Sequence, residues 1–118
     1  MTTPPPNQPR RFHFMQLDVY IVCRELTALV VRMNLADAEL RDQATRAAKA
    51  VLLNLSEGLP LPAGAQRRRF MNTALGSVHE LAAAVDIAAV LGLVAPDVAD
   101  RADELAYRAR GMLAALAR

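Results

Sequence analysis

At 118 residues and 12.8 kDa the chain is sized for one domain, long enough to bury a core without disulfides or a structural metal. Its 53% hydrophobic and 22% charged content, with a mean hydropathy of +0.15, excludes an intrinsically disordered chain. A single cysteine, Cys23, excludes an intramolecular disulfide framework and a cysteine-based zinc site.

Aromatic residues make up only 4%, and alanine and leucine carry the apolar content. That mixture favours closely packed helices over a β-sandwich. Fourteen basic residues face twelve acidic ones, for a net charge of +2 and a pI near 9.2. Every base except Lys49 is arginine, whose planar guanidinium suits bidentate contact with phosphate or carboxylate. A net of +2 does not by itself mark a nucleic-acid binder.

Residues 1–11 begin with a stretch holding Pro4, Pro5, Pro6 and Pro9, and read as a disordered tail. Arg10 and Arg11 could open a twin-arginine signal, but Asp18, Arg24 and Glu25 interrupt the stretch that follows. No run approaches a membrane span, so a soluble cytoplasmic protein without membrane contact is expected. The folded domain is assigned to residues 12–118.

From Phe12 the apolar residues Met15, Val19, Val22, Leu26, Leu29 and Met33 alternate steps of three and four, predicting a first helix. Tyr20, Ile21, Cys23, Ala28 and Val30 widen its apolar face beyond one stripe. Asn34 and Asp37 mark the turn, with Asp37 as the N-cap of a second helix over 38–57. The seam of that helix is Leu40, Ala44, Ala47, Val51 and the polar Asn54, and Gly58 is expected to stop it as a C′ glycine. A third helix over 65–91 carries two adjacent seams, and is therefore expected to be the most buried. Gly92 ends it, Pro96 opens a fourth helix, and Val98, Ala102, Leu105, Ala109, Met112 and Leu116 form the last seam. Four helices and short loops predict an all-α, antiparallel up-down-up-down four-helix bundle. The excess apolar surface on helices 1 and 3 predicts a homo-oligomer.

Two segments carry more than periodicity. Gln43-Ala44-Thr45-Arg46-Ala47-Ala48 leads into Asn54-Leu55-Ser56-Glu57-Gly58, and Phe70 to Leu81 reads Phe-Met-Asn-Thr-Ala-Leu-Gly-Ser-Val-His-Glu-Leu. In order and spacing this resembles the four-helix-bundle proteins encoded in intervening sequences of 23S ribosomal RNA genes. Ala50 and Ser56 depart from the usual Ser and Ala, and the loop after Gly58 is Leu-Pro-Leu-Pro instead of polar. The resemblance implies a homopentamer. It also implies kinship with the accessory proteins of diversity-generating retroelements, where a basic pentameric bundle binds nucleic acid and a reverse transcriptase.

Gln43, Arg46, Asn54, Glu57, Ser77 and Glu80 are the first candidate cluster, with Arg46–Glu80 as a charge-assisted pair. They read as a polar network fixing helix register or as an anion pocket. Arg67, Arg68 and Arg69 are the second. Three cations in a first helical turn oppose the dipole at about 0.3–1 kcal/mol each, whereas free N–H groups there attract anions. A nucleic-acid surface of Arg67, Arg68 and Arg69 with Arg10 and Arg11 follows. The alternative is a solvated turn, or pairing of these arginines with Asp100, Asp103 or Glu104 of a neighbouring subunit. His13 could join the basic arm. His79 and Glu80 do not share a helix face and no second histidine lies four residues away, so no metal is expected. Gly76, with Ala74 and Ser77, is expected to admit a close helix neighbour. No nucleophile–base set accompanies any cluster, so neither an enzyme nor a cofactor is expected. Two functions remain: a nucleic-acid-binding module, possible partners being structured RNA or DNA and a protein such as a reverse transcriptase, or an interaction scaffold without nucleic-acid affinity.

Overall fold

A computed structural model describes residues 10–118; residues 1–9 of the expected tail lie outside the described residues. The described chain is all helical: a 3-10 turn (His13–Gln16), then α1 (Asp18–Met33), α2 (Ala38–Gly58), α3 (Ala65–Val90) and α4 (Pro96–Leu116). Each long helix packs against two others, α1 on α2 and α4, and α3 on α2 and α4. Among the described residues, the backbones of α1 and α3 stay apart, as do those of α2 and α4. The result is a four-sided bundle around one core.

The first helix starts later than its apolar spacing predicts. Leu17 is extended (φ −75°, ψ 141°), and the chain before it forms the 3-10 turn. That bend lets Phe14 meet Tyr20 edge-on at 5.3 Å, while Asp18 falls where a helix N-terminus favours an anion. Phe12, expected in the seam, is instead 65% exposed. Arg10, assigned to the tail, is half-buried, and its carbonyl accepts from Gln16 Nε2 at 2.6 Å.

Asn34 closes α1 in the left-handed region (φ 44°). Asp37 caps α2 by accepting from the Leu40 N–H at 2.9 Å, and Arg41 Nη1 donates back to the Leu35 carbonyl at 3.0 Å. The seam of α2 then runs through Leu40, Ala44, Ala47, Ala48, Val51 and Leu55. Leu55, not Asn54, takes the last inward position: the Asn54 amide donates to the Ala50 carbonyl of its own helix at 2.8 Å. Gly58 does not stop α2 with a left-handed residue. It is helical, and a Cβ there would lie 2.5 Å from Met71 Cε and 2.7 Å from Phe70 Cβ. Its role is close approach between α2 and α3.

Gly92 ends α3 in the left-handed region (φ 72°), and Pro96 occupies the first turn of α4. The interior of α2, α3 and α4 is rich in alanine, with Ala48, Ala74, Ala88 and Ala109 fully enclosed among Leu55, Met71, Leu81, Leu105 and Leu113. Contrary to expectation, α3 is not the most buried helix. Met71, Ala74, Val78, Leu81, Val85 and Ala88 face the core, whereas Gly76, Ala83, Ile87 and Val90 face outward. Nothing lies within 4 Å of a Cβ built at Gly76, so no helix of the same chain approaches there. By length and composition α3 is long and apolar enough to cross a membrane, with about a third of its most apolar stretch buried. This corrects the expectation that no run approaches a span; much of that apolar content lies on the outward face.

Candidate nucleic-acid interface

The Arg67–Arg69 run is placed by the turn between α2 and α3. Gly64 is the N-cap of α3 and brings no side chain to its first N–H groups, and the first turn has no acidic residue. The Arg68 N–H donates to the Gly64 carbonyl at 3.0 Å, leaving the amides before it without an intrahelical acceptor. One turn further on, Phe70 and Met71 press against Gly58, which fixes the arginines beside the last turn of α2. Arg68 and Arg69 are exposed and Arg67 is half-buried. The helix therefore offers both its free donors and three guanidinium groups, an arrangement complementary to anionic oxygens.

Two atoms single out this chemistry. Among the described residues, the buried side-chain nitrogens without a hydrogen-bond acceptor are Arg67 Nε and Arg10 Nη2. A buried donor on a cation left unpaired costs about 1–3 kcal/mol or more, a cost that an anionic acceptor would remove. Arg11 is exposed next to Arg10, and His13 lies exposed in the 3-10 turn that follows. The C-terminal half of α4 adds Arg108 and Arg110, which line a groove with Asp18 and Ile21 at the start of α1. The Arg110 guanidinium rests 4.9 Å from the centre of the exposed Tyr107 ring.

The other cluster comes together only in part. Arg46 Nη2 stands 4.0 Å from Glu80 Oε1, with the side chains 75% and 43% exposed. An exposed pair of this kind contributes about 0–1 kcal/mol. Gln43 and Ser77 are half-buried but make no side-chain hydrogen bond among the described residues, Asn54 bonds within α2, and Glu57 is exposed. His79 is exposed, and no group of three or more metal-ligating side chains occurs among the described residues. Cys23 is buried, and burial pushes its thiol up to about 12.

Sequence spacing did not reveal the hub between α1 and α4. Arg101 donates to Glu25 at 2.8 Å and reaches Glu104 at 3.2 Å, and these two carboxylates, Glu25 first, hold its guanidinium above the ordinary arginine value. The i, i+3 spacing of Arg101 and Glu104 is visible in the sequence, but Glu25 lies 76 positions away.

A family model described as 23S rRNA-intervening sequence protein matches residues 15–115. The chain belongs to that family. The match takes in all four long helices, the Asn54–Gly58 and Phe70–Leu81 motifs and the arginine run between them. It leaves out Arg10 and Arg11. No curated protein matches the chain.

Proposed function

We propose that this family member is a non-enzymatic, cytoplasmic, homopentameric bundle that binds structured RNA or DNA through an arginine-rich end. The observation that carries the reading is the buried Arg67 Nε, which has no hydrogen-bond acceptor among the described residues, at the uncapped start of α3. An up-down-up-down course of the helices is part of it. The closeness of Gly58 to Phe70 and Met71, and of Arg46 to Glu80, supports an antiparallel course of α2 and α3. The start of α1 likewise shares a groove with the last turns of α4. That course collects Arg10, Arg11, Arg67, Arg68, Arg69 and Arg110 at one end. A pentamer would repeat the patch around a ring, adding avidity that one copy lacks. Assembly is supported by the outward apolar face of α3, where Val90 is 80% and Ile87 47% exposed. The same face supports a second reading, an interaction scaffold whose arginines serve protein contacts. A reverse transcriptase is one such partner, proposed from the resemblance to retroelement accessory proteins.

The test is fluorescence anisotropy of a labelled structured RNA titrated with the full chain at low and moderate salt. Contacts to phosphate make binding weaken as salt rises. Wild-type binding that is salt-sensitive and lost in the Arg67→Ala, Arg68→Ala, Arg69→Ala variant is the expected result. An intact oligomer that binds no RNA at low salt would leave only the scaffold.

A further inference from the structure

We propose that the groove between α3 and α4 receives the Arg67–Arg69 run of a second copy of this chain, so that self-assembly and nucleic acid compete for the same arginines. The groove, of about 260 Å³, has an apolar floor that includes Ala82, Ala89 and Ala106, rimmed by Asp86, Asp100 and Asp103. All three aspartates are exposed and, among the described residues, none has an ion pair, although Glu104 next to them is held by Arg101. Arg67, Arg68 and Arg69 also lack an acidic partner among the described residues. Arg68 and Asp86 ride on one helix, and at a rise of 1.5 Å per residue their backbones stand about 27 Å apart. The two patches therefore cannot neutralise each other within one chain.

Between chains they fit. Arginine carries an apolar stem that covers small side chains and a head that pairs with carboxylate, which is what an alanine floor under an aspartate rim accepts. The contact is head-to-tail, since the two surfaces differ, and so it can propagate along a stack, separate from the ring that leaves the arginines free. An arginine seated in a neighbour's groove is not free for phosphate. The self-contact stands on the groove alone, and only the competition rests on the nucleic-acid reading.

Sedimentation velocity of the full chain at low and moderate salt tests the contact. Three proteins are compared with wild type: Asp86→Arg with Asp100→Arg and Asp103→Arg, Arg67→Asp with Arg68→Asp and Arg69→Asp, and the two sets combined. The expected result is a larger mass for wild type at low salt, loss of that salt-dependent gain in either one-sided set, and its return in the combined set. A mass that ignores the aspartate reversal, or that the combined set fails to restore, overturns the contact. The milder Asp86→Asn, Asp100→Asn, Asp103→Asn set should lose the gain too, with helical circular dichroism showing the fold intact. In RNA anisotropy at low salt that milder set should bind severalfold more tightly than wild type. Equal affinity would overturn the competition. Absence of RNA binding by every protein would overturn the nucleic-acid reading while leaving the mass result to decide the contact.

Discussion

Replacing Gly58 by alanine adds one methyl group where two helices nearly touch. The new Cβ would sit 2.5 Å from Met71 Cε and 2.7 Å from Phe70 Cβ. Met71 Cε is the tip of a flexible side chain and can swing aside. Phe70 Cβ is fixed to the backbone, so relief there requires α3 to move. Overpacking of this kind costs about 1–3 kcal/mol. Against it stands the better helix propensity of alanine, at most about 0.5–1 kcal/mol because Gly58 is the last residue of α2. The net expectation is a loss of about 1 kcal/mol, or roughly 4 °C in Tm for a domain of this size. Gly111 provides the control, because it lies inside α4 with nothing within 4 Å of a built Cβ. Gly111→Ala should gain about 0.5–1 kcal/mol from propensity alone. Urea unfolding followed by circular dichroism reads both as midpoint shifts of opposite sign at unchanged m. A Gly58→Ala protein as stable as wild type, or two glycines that respond alike, would refute the close-approach argument.

The core, one helix cap and the buried thiol supply further expectations. Leu105, fully enclosed, should cost about 2–5 kcal/mol on truncation to alanine, measured by the same urea midpoint. Asp37→Ala removes the acceptor of the Leu40 N–H and should cost about 1 kcal/mol, whereas Asp37→Asn should retain most of it. The thiol of Cys23 is raised from 9.0 to about 12 by burial, so the folded state keeps its proton where the unfolded chain has lost it. Its contribution is therefore intact below pH 9 and is lost as pH rises toward about 12. Unfolding midpoints of wild type should fall more steeply above pH 9 than those of Cys23→Ala; parallel slopes would refute the link.

Helix boundaries were legible wherever a residue does chemistry at the chain's own turn. Asp37 caps, Gly92 turns left-handed and Pro96 opens α4, each by an interaction that spans only a few positions. The boundaries that depart from the spacing are those whose deciding contact is distant. The start of α1 depends on Phe14 reaching Tyr20, and the ending of α2 on Gly58 meeting Phe70 and Met71. Asn54 and Leu55 are adjacent, so spacing alone could not choose which faces inward. On α3, two apolar seams read as deeper burial, but one chain has only α2 and α4 to cover that helix, and Ile87 and Val90 stay outside. The arginine run was visible at once, whereas the buried Nε of Arg67 and the carboxylates around the α3–α4 groove depend on how the helices pack.

The alanine-lined interior also constrains how this chain can drift. At Ala48, Ala74, Ala88 and Ala109 the side chain is already a single methyl group with no exposed surface. Deleting it leaves almost no void, while any larger residue must force helices apart in a densely filled interior. Variation in size at these sites is one-way, toward glycine, whereas Leu53, 61% exposed on α2, can change size freely. A bundle built in this way has a fixed interhelical spacing, and new functions must be written on its outer faces and its ends.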